Sequence, residues 1–89
     1  MTPTDNKYYF YIIRCADNSL YCGQTTDLVR RVDEHNLNDT KGSKYTRTRR
    51  PVRLVYHEEF VTMSLAMKRE AEVKKWPKVK KETLVSRLR

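Results

Sequence analysis

The sequence predicts an α+β layer fold, in which helices pack against a small, mostly antiparallel three-stranded sheet. Three observations lead to it: an aromatic and β-branched run near the start, a short apolar run that follows a turn, and helical periodicity further along the chain. The predicted order is strand, strand, helix, strand, helix, helix. A length of 89 residues allows a single domain over 1–89, with its core at about 8–88.

The first two strands are predicted as a hairpin. Residues 8–13 read YYFYII, a composition typical of strands. Residues 16–19 have turn chemistry, so residues 20–24 return as the second strand. Strand alternation puts Tyr9, Tyr11 and Ile13 on one face of the sheet and residues 8, 10 and 12 on the other. A third strand is predicted where Val52, Leu54 and Tyr56 alternate with their neighbours.

Three helices are predicted from caps and breakers. One of residues 25–27 caps the first helix, which extends to about His35. Thr62 caps the second, to about Lys75. Pro77 ends that helix and can occupy the first turn of the last one, which extends to about Leu88. The polar residues 36–50 are predicted as a long loop. Loops of this length are uncommon in compact domains and more often have a function than not.

The charge is unevenly placed along the chain. There are 19 lysines and arginines against 11 acids, for a net charge of +8. The first 38 residues have a net charge of −1, whereas residues 39–57 hold six bases against one acid and residues 68–89 hold nine against three. This excess points to a polyanionic partner: nucleic acid, an anionic membrane surface or an acidic protein.

Several classes of protein are excluded. The longest apolar run is six residues, far short of a membrane span, and the N-terminal residues lack the apolar stretch of a signal peptide. Only Cys15 and Cys22 are present, so neither a disulfide scaffold nor a zinc knuckle is expected. We expect two reduced, half-buried thiols in a cytoplasmic protein.

Glu70 is an anomaly in the second predicted helix. Its spacing places it on an apolar stripe formed by Met63, Ala66, Met67 and Val73. A carboxylate there is costly to desolvate unless it has a partner. Two interpretations stay open: Glu70 reaches the edge of the stripe or pairs with a nearby lysine, or it is a site carboxylate that binds a hard divalent cation.

Arg31 and His35 are neighbours on one face of the first predicted helix. One interpretation is an ion pair between Asp27 and Arg31 on a solvated face, with His35 incidental. The other is a phosphate clamp, because a guanidinium group binds phosphate bidentately. Arg30 is spaced to pair with Glu34.

The loop is the third candidate region. Its bases and single tyrosine suggest a segment that follows a phosphate backbone, with one ring free to stack on a base. A solvated loop without function is the alternative. The candidate nucleic-acid-binding residues are Lys41, Lys44, Tyr45, Arg47, Arg49 and Arg50.

Taken together, these residues resemble the GIY-YIG nuclease superfamily, and especially its small bacterial single-domain members. The first signature corresponds to residues 9–11, with Tyr9 in place of the glycine, and the second to residues 21–23. Arg31 follows the second tyrosine by ten residues, His35 follows four later, and Glu70 stands where the family places its acidic metal ligand. The resemblance extends from about residue 8 to residue 76.

The resemblance implies a metal-dependent endonuclease that hydrolyses DNA phosphodiester bonds with weak or structure-based specificity, in repair or recombination. Tyr11 would be the general base or orient the water, and Tyr21 would hold the nucleophile or the phosphate. Arg31 would neutralise charge on the phosphate, His35 would assist proton transfer, and Glu70 would bind one Mg²⁺ or Mn²⁺. RNA remains an alternative substrate, and a partner protein could supply specificity. The alternative function is a slow or non-catalytic nucleic-acid-binding module; a membrane role is not expected.

Overall fold

The computed structural model describes residues 7–87, in which three strands and four helices follow one another. They are β1 (Tyr8–Arg14), β2 (Leu20–Thr25), α1 (Leu28–Leu37), α2 (Lys44–Arg47), β3 (Arg53–Phe60), α3 (Met63–Lys74) and α4 (Lys78–Ser86). The predicted α+β layer fold and its order of elements are confirmed, with α2 as an addition. In this part of the chain, no helix is long and apolar enough to cross a membrane.

The sheet has the order β2-β1-β3, and both pairs are antiparallel. Tyr11 of the central strand lies opposite Gly23 of β2. On the other side the register shifts between Ile12 and Ile13, which pair with Tyr56 and Leu54. Such a bulge lets the central strand bend while both of its neighbours stay paired.

Each face of the sheet has its own core, as the predicted alternation requires. Helix α1 covers one face, with α2 packed against α1, and α3 and α4 cover the other face. The buried cluster on the α1 face comprises Tyr11, Ile13, Cys15 and Val52, with Tyr21, Leu28, Val32 and Leu54 packed against it. The buried cluster on the α3 face comprises Phe10, Ile12, Cys22, Tyr56, Val73 and Leu84. Both cysteines are buried and unpaired.

The helices begin where their capping residues predict. The Asp27 carboxylate accepts a hydrogen bond from the Arg30 N–H, and the Thr62 hydroxyl accepts one from the Leu65 N–H. Pro77 occupies the N-cap position of α4 and lies just outside its first turn. The predicted end of the last helix at Leu88 lies outside the described residues.

The prediction of a loop throughout residues 36–50 is wrong in its centre, where α2 forms one helical turn. The Ser43 hydroxyl caps this turn by accepting from the Thr46 N–H, and the Thr46 side chain is fully buried. Four residues are too few to show helical periodicity in the sequence. A turn this short is marginal by itself, and here the Ser43 cap and the buried contact of Thr46 with His35 support it.

The predicted apolar stripe on α3 is also partly wrong. Ala66 and Val73 are fully buried, but Met63 and Met67 are each 48% exposed. The face of α3 that is buried is therefore narrower than the apolar stripe predicted from the sequence. It is centred on Ala66 and Val73, and Glu70 is half-buried beside them. Two methionines at the edge of a helix face need not be covered for the helix to pack.

Candidate active site

Tyr11 lies at the centre of the candidate site. It is in the middle strand of the sheet and is only 1% exposed. Its hydroxyl lies 2.8 Å from Nε2 of His35 and accepts a hydrogen bond from Nε of Arg31 at 3.3 Å. The side chains at three of the five predicted catalytic positions are therefore in direct contact.

Gly23 makes room for the Tyr11 ring. A Cβ at this position would lie 2.5 Å from Cζ of Tyr11 and still closer to its hydroxyl. Any larger residue would displace the phenol from its partners. The glycine that ends the second signature is thus required by the close approach of a side chain and not by a special backbone conformation.

His35 is completely buried at the end of α1. Its Nδ1 lies 2.9 Å from the hydroxyl oxygen of Thr46, so both ring nitrogens have a partner. Burial lowers the pKa of His35 to about 4, with a further contribution from the positive charge of Arg31. The imidazole is therefore neutral at pH 7 and can accept a proton.

Burial also changes the acidity of Tyr11. It raises the pKa of the phenol to about 12, although Arg31 acts in the opposite direction through its hydrogen bond and its charge. The adjacent cation expected for a tyrosine base is present, but desolvation outweighs it. Tyr11 is thus a phenol at pH 7 and needs a partner to take its proton.

Arg31 is held by three contacts. Besides the bond to Tyr11, its Nη1 donates to Oε1 of Glu34 at 3.0 Å and to the carbonyl oxygen of Lys41 at 2.5 Å. The alternative pairing with Asp27 is not formed, since Asp27 caps the helix instead. Arg30 does pair with Glu34 as predicted, at 3.6 Å. The guanidinium group is consequently fixed beside the Tyr11 hydroxyl.

Tyr21 lies against the same cluster. Its ring meets the His35 ring edge-on, with 5.3 Å between centroids, and stacks on Tyr45 at 5.7 Å. The Arg49 guanidinium covers Tyr45 at 3.9 Å from the ring centroid. Tyr45 belongs to the basic segment of residues 41–50, which we call the arm. Its ring contacts both Tyr21 and Arg49, and it therefore links the arm to the candidate site.

Glu70 approaches from α3. It is half-buried, and its carboxylate lies 3.5 Å from Nζ of Lys74. Its negative charge contributes to the raised pKa of Tyr11, which places it within electrostatic reach of that hydroxyl. Both open interpretations are compatible with this position. The pair with Lys74 is long and its lysine is exposed, so a cation could replace that lysine at the carboxylate.

The donors present fit a single divalent cation. Among residues 7–87, no group of three or more histidine, cysteine or acidic side chains is placed to hold a metal ion. Mg²⁺ commonly uses one or two carboxylates and takes its remaining ligands from water and substrate phosphate oxygens. One carboxylate, Glu70, is therefore a chemically sufficient protein ligand for a cation that arrives with a phosphodiester.

The six predicted nucleic-acid-binding residues differ in how they are held. Lys41, Lys44 and Arg47 are exposed. Arg49 pairs with Asp17 at 3.0 Å, and Arg50 donates to the carbonyl oxygen of His35 at 2.7 Å. The structure thus separates three exposed residues from two arginines that are bonded to other parts of the protein, while the Tyr45 ring contacts Tyr21 and Arg49.

Thr46 is the residue of the cluster that the motifs do not indicate. It follows Lys44 and Tyr45 in a polar segment, where a threonine gives no signal of burial. The hint in the sequence is Ser43, a helix-capping residue three positions earlier. Only the position of His35 in the fold shows that Thr46 points inward.

Comparisons with known proteins identify the family of this chain. Residues 7–83 match the GIY-YIG catalytic domain. A UPF0213 protein of Bacillus pumilus is 48% identical over 84 residues, which cover 94% of this chain and 84% of the relative. A UPF0213 protein of Haloquadratum walsbyi is 52% identical over 80 residues, covering 90% and 88%.

Two solution NMR structures show the same fold. One is a UPF0213 protein of Bacillus halodurans, with 48% identity, a TM-score of 0.57 and coverage of 90% of this chain and 83% of the other. The second is a protein of E. faecalis, with 38% identity, a TM-score of 0.61 and coverage of 98% and 91%. The matched domain and these relatives show that the chain belongs to the GIY-YIG family, a superfamily of nucleases.

Proposed function

We propose that this protein is a metal-dependent endonuclease that hydrolyses phosphodiester bonds in DNA. The observation that carries the proposal is the buried Tyr11 hydroxyl, which contacts a neutral histidine at 2.8 Å and an arginine at 3.3 Å. A buried phenol between a proton acceptor and a fixed cation is suited to proton transfer near a phosphate.

Tyr11 and His35 would act together on the attacking water. As the water oxygen bonds to phosphorus, the water gives a proton to the Tyr11 oxygen, and Tyr11 gives its own proton to Nε2 of His35. The P–O bond to the leaving sugar oxygen breaks in the same displacement, and that oxygen takes a proton from solvent. A pKa of about 12 for Tyr11 and about 4 for His35 means that a phenolate with imidazolium is not the resting state. The two protons therefore move during the attack and not before it.

Arg31 would supply positive charge where negative charge develops. Its contacts with Glu34 and the Lys41 carbonyl hold the guanidinium in place before substrate arrives. Such preorganised donors stabilise a phosphoryl transition state without further rearrangement. Tyr21, packed against the His35 ring, would hold the nucleophile or the scissile phosphate beside Tyr11.

Glu70 would hold one Mg²⁺ or Mn²⁺. When bound, the cation would supply Lewis-acid neutralisation of the phosphate and the leaving oxygen. Lys74 would have to release the Glu70 carboxylate, and their 3.5 Å separation makes that pair weak. We place the reaction in the cytoplasm, where unpaired thiols such as Cys15 and Cys22 persist.

The exposed bases Lys41, Lys44 and Arg47 would contact the nucleic-acid backbone. Lys44 and Arg47 flank Thr46 on α2, and the Lys41 carbonyl accepts from Arg31, so all three lie near site residues along the chain. Structure-based or weak sequence specificity fits contacts of this kind, because phosphate contacts carry no sequence information. A role in repair or recombination, and a protein partner that adds specificity, belong to the same proposal.

Incubation of the purified protein with single-stranded, flapped and branched DNA, and with matched RNA, tests the proposal. Each substrate is presented with Mg²⁺, with Mn²⁺ and with EDTA, and both nicking and binding are measured. We expect nicking of at least one DNA with metal and none with EDTA. Binding of every substrate without nicking would instead support the alternative, a nucleic-acid-binding module on the same scaffold.

A further inference from the structure

Thr46 is an unusual residue for an exposed basic arm, since it is fully buried. Its hydroxyl oxygen lies 2.9 Å from Nδ1 of His35, 3.0 Å from the Ser43 hydroxyl and 3.3 Å from the Ser43 carbonyl oxygen. A threonine hydroxyl has one proton to give and can accept two hydrogen bonds. The direction of these bonds decides which nitrogen of His35 holds the proton.

One direction satisfies every group in the chain of contacts. The Thr46 hydroxyl donates to the Ser43 carbonyl, which can only accept. Thr46 then accepts from the Nδ1–H of His35, and Nε2 is left as an acceptor for the Tyr11 hydroxyl. Tyr11 in turn accepts from Nε of Arg31.

The opposite direction of these hydrogen bonds leaves one buried group without a partner. If Thr46 donated to Nδ1, then Nε2 would hold the proton and donate to the Tyr11 oxygen, which already accepts from Arg31. The two groups that contact this hydroxyl, His35 and Arg31, would then both be donors. The Tyr11 proton would have no acceptor among its contacts in residues 7–87, which is costly for a hydroxyl on a buried residue.

We propose that Thr46 is a positioning residue, which fixes His35 in the Nδ1–H form so that its bare Nε2 faces the Tyr11 hydroxyl. The catalytic purpose of this tautomer rests on the proposed function, in which His35 takes the Tyr11 proton. Only the Nδ1–H form has a bare Nε2 that can do so. The arm would then have two roles, contact with phosphate and the positioning of His35. Lys44 and Arg47, expected to contact phosphate, share the single turn of α2 with Thr46.

The tautomer can be measured directly by ¹⁵N NMR of the two histidine rings at pH 7. The chain has only two histidines, and His57 is exposed, so its ring serves as an internal control. We expect the His35 ring to show a protonated Nδ1 and an unprotonated Nε2. A protonated Nε2 in the wild-type protein would overturn the proposal.

Three substitutions test the cause. Thr46→Val keeps the shape but removes the hydroxyl, and we expect His35 to lose its Nδ1–H preference. Thr46→Ser restores the hydroxyl and should restore the wild-type ring signals. Ser43→Ala retains the carbonyl that accepts from Thr46, so it should also keep the wild-type tautomer; Thr48→Val, at an exposed position in the same segment, is the matched control.

The outcomes separate this proposal from the nuclease activity. If Thr46→Val leaves the His35 ring signals unchanged, or if Ser43→Ala removes the preference, Thr46 does not act as proposed. If Thr46→Val does not fold, Ser43→Ala and Thr46→Ser decide. With a cleavable DNA, Thr46→Val should lower kcat by about 10²-fold with little change in KM. A wild-type protein with the expected tautomer but no cleavage would contradict only the proposed function.

Discussion

The two faces of the sheet bury different chemistry. The face under α3 and α4 packs side chains such as Phe10, Ile12 and Val73 and is almost entirely apolar. The face under α1 and α2 buries a histidine and a threonine beside the Tyr11 hydroxyl. Buried polar groups are tolerated only when they are hydrogen-bonded, as these are. The apolar face therefore mainly stabilises the fold, and the other face gives up apolar packing for the buried part of the site. From α3 the candidate site includes only the half-buried Glu70.

On the face that carries the site, we expect the largest loss of DNA cleavage from a substitution of Arg31. Arg31→Lys keeps the charge but removes the planar group that bonds Tyr11, Glu34 and the Lys41 carbonyl at once. We expect DNA cleavage to fall by about 10²- to 10³-fold, as for other preorganised donors. Single-turnover cleavage kinetics measure the effect.

Arg30→Lys is the matched control for that substitution. Arg30 is the adjacent residue, exposed and paired with Glu34. Its replacement should leave the cleavage rate within a few-fold of the wild-type rate. Equal losses in the two variants would show that helix α1, and not the site, is being probed.

The fold and the site were predictable from the sequence to different depths. The strand pattern of residues 8–13 and the caps Asp27 and Thr62 act locally, so the elements follow from short segments. The contact of Tyr11 with His35 spans 24 positions, and only the resemblance to a family suggested it. Helix α2 and the burial of Thr46 could not be predicted, because they depend on where His35 lies in the folded protein.

The second prediction concerns pH and the buried histidine. The folded-state pKa of His35 is about 4, against a model-peptide value of about 6.5, so the unfolded chain binds a proton first as the pH falls. Stability is therefore complete above pH 6.5 and is lost below it, by about 2 kcal/mol at pH 5 and about 3 kcal/mol at pH 4. Urea unfolding at each pH measures the free energy of unfolding.

His35→Gln and His57→Gln provide the comparison for this pH dependence. His57 is exposed on β3 and its replacement should leave the slope between pH 6.5 and pH 5 unchanged. The slope should largely disappear in His35→Gln. If the wild-type protein is equally stable at pH 7 and pH 5, His35 is not buried in its neutral form.

A smaller effect is expected from the apolar face. Ile12 is fully buried there, and Ile12→Val should lower the free energy of unfolding by about 0.5–1.5 kcal/mol. Cleavage at a temperature where the variant is folded should match the wild type. A loss of cleavage without a loss of stability would show that the apolar face contributes to catalysis and would contradict this comparison of the two faces.

The smallest effect per substitution is expected on the exposed arm. Lys44→Ala and Arg47→Ala each remove one expected phosphate contact, so each should weaken DNA binding and reduce the slope of log K against log salt by about 0.7–0.9. Binding titrations at several salt concentrations measure both. Arg30→Ala, at an exposed arginine of α1 that pairs with Glu34, is the control and should leave the slope unchanged. An unchanged slope in the arm variants would exclude Lys44 and Arg47 from the interface.

The most direct test of the central claim compares two tyrosines that each lose only a hydroxyl. Tyr11→Phe removes the hydroxyl between His35 and Arg31, and Tyr56→Phe removes one on the opposite face that donates to Glu58. In single-turnover DNA cleavage with Mg²⁺, we predict a loss of at least about 10²-fold for Tyr11→Phe, with DNA binding retained, and near wild-type cleavage for Tyr56→Phe. Wild-type cleavage by Tyr11→Phe would contradict the account.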